Sequence, residues 1–324
     1  MSLLDKIAAA NRIAILGHTR PDGDCVGSTL GLANYIALNN PEKEVCVYLE
    51  EASEKFAYLK GFDQIRHETD EEVYDLCVCL DSGDRTRLGM FGIYLDRASE
   101  SICLDHHVTN VGYADENLVV ADASSTCEVL FTQLDEEGIN KAVAECLYTG
   151  IVHDTGVFKY PCASPKTMEI AGKLMAKGID FGAIIDGSFY RKTYIQNQIL
   201  GRALLESICF MHGKCIFSVI RKKEMNFYGV ESKDLDGIVE QLRLTAGVEC
   251  AIFLYEVGPQ QFKASLRSIS EVDVSKIAAY FGGGGHVRAA GCTMNGNMHD
   301  VINNLALHIA KQLAPEEVTG GGVR

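Results

Sequence analysis

The stretch GHTRPDGDCVGS, from Gly17 to Ser28, places a histidine and two aspartates within seven residues, directly after an apolar run. Like charges this close raise each other's pKa and destabilise the fold unless a positive charge lies between them. The imidazole of His18 and the carboxylates of Asp22 and Asp24 together suit a divalent cation such as Mn, Fe, Co or Zn. The alternative is a capped helix start with a solvated pair of aspartates, and this stretch alone leaves both open.

Three further clusters follow later apolar runs. Asp81 ends the run YDLCVCLD, where a single aspartate is usually a turn or helix-cap residue. Residues 105–107, the last three of SICLDHH, put two adjacent histidines at the end of a buried strand, which favours a metal site. His153 and Asp154 lie in the apolar stretch VHDTGVF. A buried aspartate needs a cation or several hydrogen-bond donors, whereas the histidine can equally be a satisfied core residue.

Taken together, these clusters supply the ligands of a two-metal site. Two divalent cations balance the charge of four carboxylates. Two such ions, roughly 3.5–4 Å apart and sharing a bridging carboxylate, are typical of sites that hydrolyse phosphate esters. The candidate ligands are His18, Asp22, Asp24, Asp81, His106 and Asp154.

The elements that must position these residues are predicted from the apolar pattern of the first half of the chain. Short apolar runs alternate with stretches of helical periodicity, which is typical of a mostly parallel sheet flanked by helices. In three of the runs the polar cluster falls at or just past the C-terminal end, where open α/β sheets hold their ligands. The predicted strands lie in residues 12–18, 44–50, 74–81 and 101–107.

The second half of the chain is richer in strands. Helices are predicted at 125–138 and 165–177, then a mostly helical segment at 187–208, strands at 208–220, 249–257 and 261–270, a helix at 272–281, the loop GGGGH at 282–286 and a helix at 298–313. This order indicates two domains of different fold class. The expected organisation is an α/β domain over 1–186, a linker helix at 187–207, a smaller α+β domain over 208–315 and a disordered tail at 316–324.

Composition excludes several classes of protein. The net charge of −14 argues against long nucleic acid as a partner, because Lys and Arg drive that binding by neutralising phosphates. No apolar run reaches the roughly 18–20 residues of a membrane span, and the charged N-terminus is unlike a signal peptide. The twelve cysteines show no zinc-type spacing and fit reduced core thiols, so we expect a cytoplasmic protein without a membrane partner.

A glycine-rich segment near the C-terminus offers a second kind of site. Backbone N–H groups in a run of glycines can approach an anion closely, and neighbouring cationic side chains add positive charge. The candidate residues of this segment are Gly283, Gly284, Gly285, His286 and Arg288. Arg267, at the end of KASLRS, is a candidate partner for phosphate or a carboxylate-like group. The alternative is a flexible loop, which is the usual role of a glycine run.

In order along the chain, HTRPDGD, LDSGD, LDHH and HDTG resemble the four motifs of the DHH phosphoesterase superfamily, and GGGGH resembles the glycine-rich loop of its DHHA1 domain. The resemblance covers nearly the whole chain. It is strongest to the NrnA-like subfamily of oligoribonucleases (nanoRNases) and 3′-phosphoadenosine 5′-phosphate (PAP) phosphatases. It implies a DHH domain that cuts the substrate and a DHHA1 domain that grips the nucleotide.

The resemblance also implies roles for individual residues. His107, the second histidine of LDHH, would face the scissile phosphate as an acid or an electrostatic stabiliser. Ser125 and Thr126 match a polar stretch that the family keeps near the site, although helix capping explains them equally well. For the metals the resemblance implies His18 and Asp22 on one ion, Asp24, His106 and Asp154 on the other, and Asp81 as the bridge.

The activity implied by the resemblance is metal-dependent hydrolysis of short RNA oligonucleotides, or of linear dinucleotides such as pGpG and pApA, to 5′-mononucleotides. Hydrolysis of PAP to AMP is a second implied activity. The expected cofactors are two divalent cations, Mn²⁺ first, with Mg²⁺, Co²⁺ or Fe²⁺ as alternatives. Two other functions stay open: a family II inorganic pyrophosphatase, which lacks the GGGGH domain, and a nucleotide-binding sensor without catalysis, against which the complete ligand set argues. The oligomeric state is left open, with a homodimer as one option.

Overall fold

Residues 2–313 are described by the computed structural model of the protein, so the tail predicted at 316–324 lies outside the described residues. The chain divides into two units between Arg191 and Lys192, within the segment predicted as a linker helix. The first unit is built on a parallel five-stranded sheet with helices, and the second on a mixed six-stranded sheet. The predicted fold class, α/β with a second α+β domain, is therefore confirmed.

The first unit alternates strands and helices along the chain. In chain order its elements are α1 (Leu3–Ala9), β1 (Arg12–Leu16), α2 (Gly23–Asn39), β2 (Glu44–Tyr48), β3 (Leu76–Leu80), α3 (Gly92–Arg97), β4 (Glu100–Asp105), β5 (Glu116–Val119), α4 (Thr126–Phe131), α5 (Lys141–Asp154), α6 (Pro165–Ala176) and α7 (Phe181–Ile185). A 3₁₀ turn at Arg85–Phe91 follows β3. The helix predicted over 125–138 is shorter than expected, because α4 ends at Phe131.

The strands of the first sheet lie in the order β2-β1-β3-β4-β5 and are all parallel. Alternate residues of a strand point to opposite faces, so Ile13 and Ile15 enter one core while Ala14 and Leu16 enter another. The chain crosses from one side of β1 to the other between β2 and β3. Open α/β sheets bind ligands beyond the C-terminal ends of the strands at such a switch point. The polar clusters that follow β1 and β3 therefore converge there.

The helices α2 and α5 pack closely in the core of this unit and carry candidate ligands near their ends. Asp22 caps the start of α2 by accepting hydrogen bonds from the N–H groups of Asp24 and Cys25. Gly27 permits the close approach of the two backbones, because an added Cβ would lie 2.5 Å from the carbonyl oxygen of Cys146 in α5. A side chain cannot approach that closely without a shift of backbone. Glycine at this position thus helps to bring the start of α2 beside the end of α5.

The second unit is built from strands and helices around a mixed sheet. In chain order its elements are α8 (Tyr194–Leu205), β6 (Ile208–Phe210), β7 (Cys215–Ile220), α9 (Lys222–Tyr228), α10 (Ile238–Arg243), β8 (Cys250–Gly258), β9 (Gln261–Ser268), α11 (Val274–Tyr280), β10 (Gly284–His286), β11 (Ala289–Asn295) and α12 (Met298–Leu313). The sheet order is β10-β11-β9-β8-β7-β6, with β7 and β8 parallel and the other pairs antiparallel. One core lies between the sheet and the helices α11 and α12, and a second includes residues of α8, α9 and α10.

Two sequence predictions in this unit are wrong in detail. The strand predicted over 208–220 is interrupted by a turn in which Met211, His212 and Gly213 have φ of 51°, 53° and 83°. The segment GGGGH is not wholly a loop, because Gly284–His286 forms β10 and pairs with β11. Glycine is required there for close pairing, since a Cβ on Gly283 would lie 2.1 Å from the carbonyl oxygen of Gly291.

The remaining expectations concern cysteines and membranes. All twelve cysteines are free, and ten of them are buried, with Cys162 and Cys209 exposed. Among the described residues, no helix combines the length and the apolar character needed to span a membrane.

The packing of α2 on α5 leads to a stability prediction. We expect Gly27→Ala to lower the free energy of unfolding by about 1–3 kcal/mol, because the added methyl group forces two backbones apart. Gly172→Ala is the matched control, since Gly172 lies on the exposed side of α6 and an added Cβ meets nothing within 4 Å. This control should stabilise the protein by about 0.4–1 kcal/mol. Urea unfolding followed by circular dichroism measures both, and equal effects of the two variants would contradict the packing described.

Candidate metal centre

The predicted metal ligands follow the strand ends at the switch point of the first sheet. His18 lies two residues beyond the end of β1, and Asp81 directly follows β3. His106 directly follows β4, whose last residue is Asp105. The other ligands are at the ends of the packed helices: Asp22 and Asp24 at the start of α2 and Asp154 at the end of α5. Residues far apart in the chain are thereby collected at one edge of the sheet.

Asp81 lies at the centre of this cluster, with its two carboxylate oxygens facing different histidines. Its Oδ2 is 3.4 Å from Nε2 of His18, and its Oδ1 is 3.7 Å from Nε2 of His106. The side chain is almost fully buried, and its backbone has a φ of 57°, in the left-handed region that few residues other than glycine adopt. Strained backbone of this kind is concentrated at functional sites. This geometry suits a carboxylate between two cations, and the bridging role of Asp81 stays a prediction.

The first group of candidate ligands surrounds Nε2 of His18. Nδ1 of His18 lies 2.8 Å from the carbonyl oxygen of Thr19, so Nδ1 carries the proton and Nε2 presents a lone pair in the neutral ring. Nε2 is 3.7 Å from Oδ1 of Asp22. The sulfur of Cys25 also approaches His18 and Asp81, although burial raises the pKa of its thiol well above the usual value. The carboxylate of Asp22 is therefore a better ligand for a cation than the thiol of Cys25. Nothing in the sequence indicated that Cys25 lies this close to the site.

The second group consists of Asp24, His106 and Asp154, whose ligand atoms lie within 4.8 Å of one another. Nε2 of His106 is 3.1 Å from Oδ2 of Asp154, and Nδ1 of His106 is 3.4 Å from the carbonyl oxygen of Ala123. Asp24 is fully buried. Its Oδ2 accepts a hydrogen bond of 2.6 Å from the N–H of Thr126, at the start of α4, and its Oδ1 accepts one from the next N–H. Each oxygen keeps a second lone pair for a cation.

The spacing of these groups fits two divalent cations. Two ligands about 2.1 Å from one ion lie roughly 3.0–3.4 Å apart in octahedral or tetrahedral geometry. The distances from His18 to Asp81 and from His106 to Asp154 are 3.4 and 3.1 Å. Asp81 faces the histidine of each group, His18 through Oδ2 and His106 through Oδ1. The four carboxylates of the cluster carry four negative charges, which two divalent cations neutralise.

The pKa values show how strongly the charges in this cluster interact. Burial and the negative charge of Asp24 raise the pKa of Asp81 to about 8, and the same two causes raise the pKa of Asp154 to about 7. Burial by itself would lower the pKa of His18, but hydrogen bonds with Asp22 and Asp81 outweigh it and raise this pKa to about 10. The cluster therefore holds protons at neutral pH, and cations that bind there displace them. Metal affinity must fall as the pH falls.

His107, predicted to face the scissile phosphate, is held by a buried carboxylate. Its Nδ1 is 2.7 Å from Oδ1 of Asp105, which is fully buried, and Asn110 donates a hydrogen bond of 2.7 Å to Oδ2 of the same carboxylate. Burial would raise the pKa of Asp105, but the hydrogen bonds from His107 and Asn110 lower it. Nε2 of His107 points away from Asp105, because Nδ1 is the nitrogen that contacts this carboxylate. Sequence reasoning assigned no role to Asp105 and had no signal for Asn110.

Three other residues singled out in the sequence have clear partners. Nε2 of His153 is 3.1 Å from Oγ of Ser188, and burial lowers the pKa of this histidine to about 4. His153 is therefore a neutral core residue, which is the alternative that the sequence left open beside a metal ligand. Ser125 caps α4 by accepting a hydrogen bond from the N–H of Glu128, and Thr126 donates its hydroxyl to Asp81 at 3.1 Å. Both side chains thus support the ligand cluster, and substrate binding by them stays a prediction.

Two of the predicted substrate-binding residues, Arg267 and His286, share one face of the sheet of the second unit. Arg267 of β9 lies opposite Ala289 of β11, which in turn lies opposite His286 of β10. Residues directly opposite in antiparallel strands point to the same side, so the side chains of Arg267 and His286 flank the small side chain of Ala289. The guanidinium of Arg288 donates to the carbonyl oxygen of Val272 at 3.0 Å.

The glycines of this segment differ in how closely other backbone atoms approach them. Gly283 and Gly285 allow close strand pairing, because a Cβ on either would lie within 2.5 Å of a carbonyl oxygen of β11. Gly284 faces open space. Anion binding by Gly283, Gly284 and Gly285 stays a prediction.

Comparison with known proteins defines the class. Residues 12–151 match the DHH family, N-terminal domain, and residues 212–313 match the DHHA1 domain. The chain therefore belongs to the DHH family of phosphoesterases and joins a DHH domain to a DHHA1 domain. Enzymes of this family are metal-dependent hydrolases, and the clusters of histidines and aspartates around Asp81 fit that requirement.

Particular relatives match over nearly the whole chain. It is 28% identical to the bifunctional oligoribonuclease and PAP phosphatase NrnA of Thermus thermophilus, over 97% of this chain and 93% of that protein. It is 26% identical to the protein of the same name from Bacillus subtilis, over 90% of this chain and 92% of that protein. A solved exopolyphosphatase-related protein from Bacteroides fragilis is 25% identical and superposes with a TM-score of 0.88, covering 97% of this chain and 96% of that one.

The bridging position of Asp81 leads to a prediction about metal content. We expect Asp81→Asn to hold fewer than two metal ions per chain and to lose about 10³-fold or more in kcat/KM, because a neutral amide cannot bridge two cations. Asp96→Asn is the control, since Asp96 is exposed and pairs with Arg85 on the surface. Elemental analysis after dialysis against Mn²⁺ measures the content. An Asp81→Asn protein with two ions and a normal rate would contradict the assignment.

Proposed function

We propose that the protein hydrolyses short RNA oligonucleotides and linear dinucleotides to 5′-mononucleotides, and PAP to AMP, with two divalent cations held around Asp81. The observation that carries the proposal is the pair of oxygens of Asp81, each facing its own histidine at 3.4 and 3.7 Å. Two relatives that match over nine-tenths or more of this chain are named bifunctional oligoribonuclease and PAP phosphatase, which supports this choice of substrates.

The donor set favours manganese. Mg²⁺ prefers an all-oxygen environment, whereas Mn²⁺ and Fe²⁺ also accept imidazole nitrogen. Each group of ligands here contains one histidine, His18 or His106, beside carboxylates. We therefore infer Mn²⁺ as the native metal, with Co²⁺ or Fe²⁺ as substitutes. When bound, the cations supply stabilisation of phosphate charge and acidification of a water molecule.

Two hydrogen bonds within the site position His107 and Asp81 for their proposed roles. Asp105 accepts from Nδ1 of His107 at 2.7 Å and so turns Nε2 outward. Nε2 of His107 then faces the phosphate or the leaving oxygen, as an acid or an electrostatic stabiliser. Thr126 orients Asp81 by donating its hydroxyl to Oδ1, the oxygen that faces His106. The positions of both groups are determined before substrate arrives, which is what electrostatic catalysis requires.

The second unit supplies a site for the nucleotide. Arg267 and His286 share one sheet face on either side of Ala289, and a phosphate there can accept hydrogen bonds from both. This DHHA1 unit argues against a family II pyrophosphatase, which lacks the glycine-rich segment. A complete set of six metal ligands argues against a sensor without catalysis. The ten buried free thiols support function in a reducing compartment such as the cytoplasm.

Substrate length provides the direct test of this function. A chain of net charge −14 repels a polyanion beyond the reach of its metals, and screening at physiological salt acts only over about 8 Å. We expect kcat/KM to be highest at roughly two to four nucleotides and to fall for longer RNA. Lower salt should not restore activity on long RNA, whereas it would for a protein with a basic channel. Initial rates on a ladder of labelled oligonucleotides at two salt concentrations measure both effects.

The matched variants for this ladder are Arg267→Ala and Lys276→Ala. Arg267→Ala should raise KM for every nucleotide while leaving metal content and the rate on bis(p-nitrophenyl) phosphate near normal. Lys276 lies on α11, against the opposite face of the sheet, so its variant should behave as the wild type. Constant or rising kcat/KM with RNA length would overturn the proposed substrate class.

A further inference from the structure

One arginine beside the metal centre has no role in the account so far. Arg87 lies in the 3₁₀ turn that follows Asp81, and its Nη1 is 3.5 Å from Nε2 of His107. This is the nitrogen of His107 that points away from Asp105, because Nδ1 is engaged by that carboxylate at 2.7 Å. Nδ1 of His107 is itself 3.6 Å from Oδ1 of Asp81. The guanidinium is therefore one side chain removed from the bridging carboxylate.

The backbone of Arg87 is held from two directions. Its carbonyl oxygen accepts a hydrogen bond of 2.6 Å from the N–H of Thr19, the residue after the candidate ligand His18. Its own N–H donates to Oδ1 of Asp84, which caps the turn. Gly89 in the same turn has a φ of 57°, and an added Cβ would lie 2.7 Å from the methyl group of Thr19. The turn is thus packed against the loop that carries the first metal ligand.

The charge around Arg87 is unusual for this chain. The protein has 44 acidic and 30 basic residues, and several arginines of the first unit form ion pairs. Those pairs are Arg12 with Glu44, Arg66 with Asp70, Arg85 with Asp96 and Arg97 with Glu71. In the part of the chain that the structure describes, no carboxylate oxygen lies within 4.0 Å of the guanidinium of Arg87. This half-buried cation sits beside an acidic cluster without being neutralised by it.

Arg87 has N–H donors left for an anion beside His107. Its Nη1 lies 3.5 Å from Nε2 of that histidine, and a guanidinium carries five N–H donors, so most of them remain for a ligand. The acidic side chains nearby are already engaged: Asp105 by His107 and Asn110, and Asp81 within the two groups of metal ligands. A phosphate oxygen supplied by the substrate matches the planar donors of a guanidinium.

We propose that Arg87 is a catalytic residue that donates hydrogen bonds to a non-bridging oxygen of the scissile phosphate, beside His107. The inference rests on the proposed phosphoesterase function and adds to it a positively charged side chain at the reacting phosphorus. It assigns Arg87 to the phosphoryl group itself. Loss of Arg87 must then affect every phosphate ester, including one that has no nucleoside.

The experiment compares Arg87→Ala with Arg85→Ala, two residues away in the same turn, where the arginine is exposed and paired with Asp96. Each Mn²⁺-loaded variant is assayed on PAP, pApA and bis(p-nitrophenyl) phosphate. Removing one donor to a transition-state oxygen typically costs about 10²–10³-fold in kcat. We expect a loss of that size for Arg87→Ala on all three substrates, with two metal ions retained and partial rescue by added guanidinium chloride. Arg85→Ala should retain the wild-type rate.

Three results would overturn the inference: a near-normal kcat for Arg87→Ala, loss of bound metal as the cause of inactivity, or a loss confined to the two nucleotides. If Arg87→Ala does not fold, Arg87→Gln, which is closer in size, is held to the same outcomes. A different result would refute the proposed function. That result is a wild-type protein that hydrolyses bis(p-nitrophenyl) phosphate but neither PAP nor pApA. The comparison of the Arg87 and Arg85 variants on bis(p-nitrophenyl) phosphate would then still decide the role of Arg87.

Discussion

Repulsion among four carboxylates is the constraint on which the first unit depends. Asp81 and Asp24 are buried, and Asp154 is close enough to share the group of ligands around His106. The raised pKa values of Asp81, about 8, and Asp154, about 7, show that these groups cannot all ionise without a compensating charge. Without cations the cluster relieves this repulsion by holding protons, and cations that bind there replace them. The fold must therefore hold the carboxylates together in spite of their charge.

Several features of the first unit resist this repulsion. The backbone N–H groups at the start of α4 both donate to Asp24, which stabilises its negative charge without a second side chain. Gly27 lets α2 lie against α5 closely enough for Asp24 and Asp154 to share one histidine. Asp81 has a left-handed backbone conformation, and its two oxygens face different histidines of the site. Binding energy of the metals is thus coupled to the packing of the core.

That the candidate metal ligands lie close together could be predicted from the sequence, because each follows an apolar strand or lies at one end of a buried helix, and strand ends converge in a parallel sheet. Contacts between distant segments could not be predicted in this way. Thr126 supports Asp81, and Asn110 supports Asp105, through side-chain geometry that no local pattern contains. The segment GGGGH looked like a loop because glycine disfavours strands, yet close pairing with β11 requires it. Arg87 went unnoticed because an arginine after a turn is usually a surface residue.

The central claim is that Asp81 joins two metal ions in one cluster. Electron paramagnetic resonance of the Mn²⁺-loaded protein tests this claim most directly, because two ions roughly 3.5–4 Å apart that share a carboxylate are magnetically coupled. As Mn²⁺ is added, the account predicts that an exchange-coupled spectrum with more closely spaced lines replaces the six-line spectrum of isolated ions. The coupled spectrum should reach its full intensity at two ions per chain. A six-line spectrum that only grows in proportion to added Mn²⁺, with no coupled signal at two ions per chain, would contradict it.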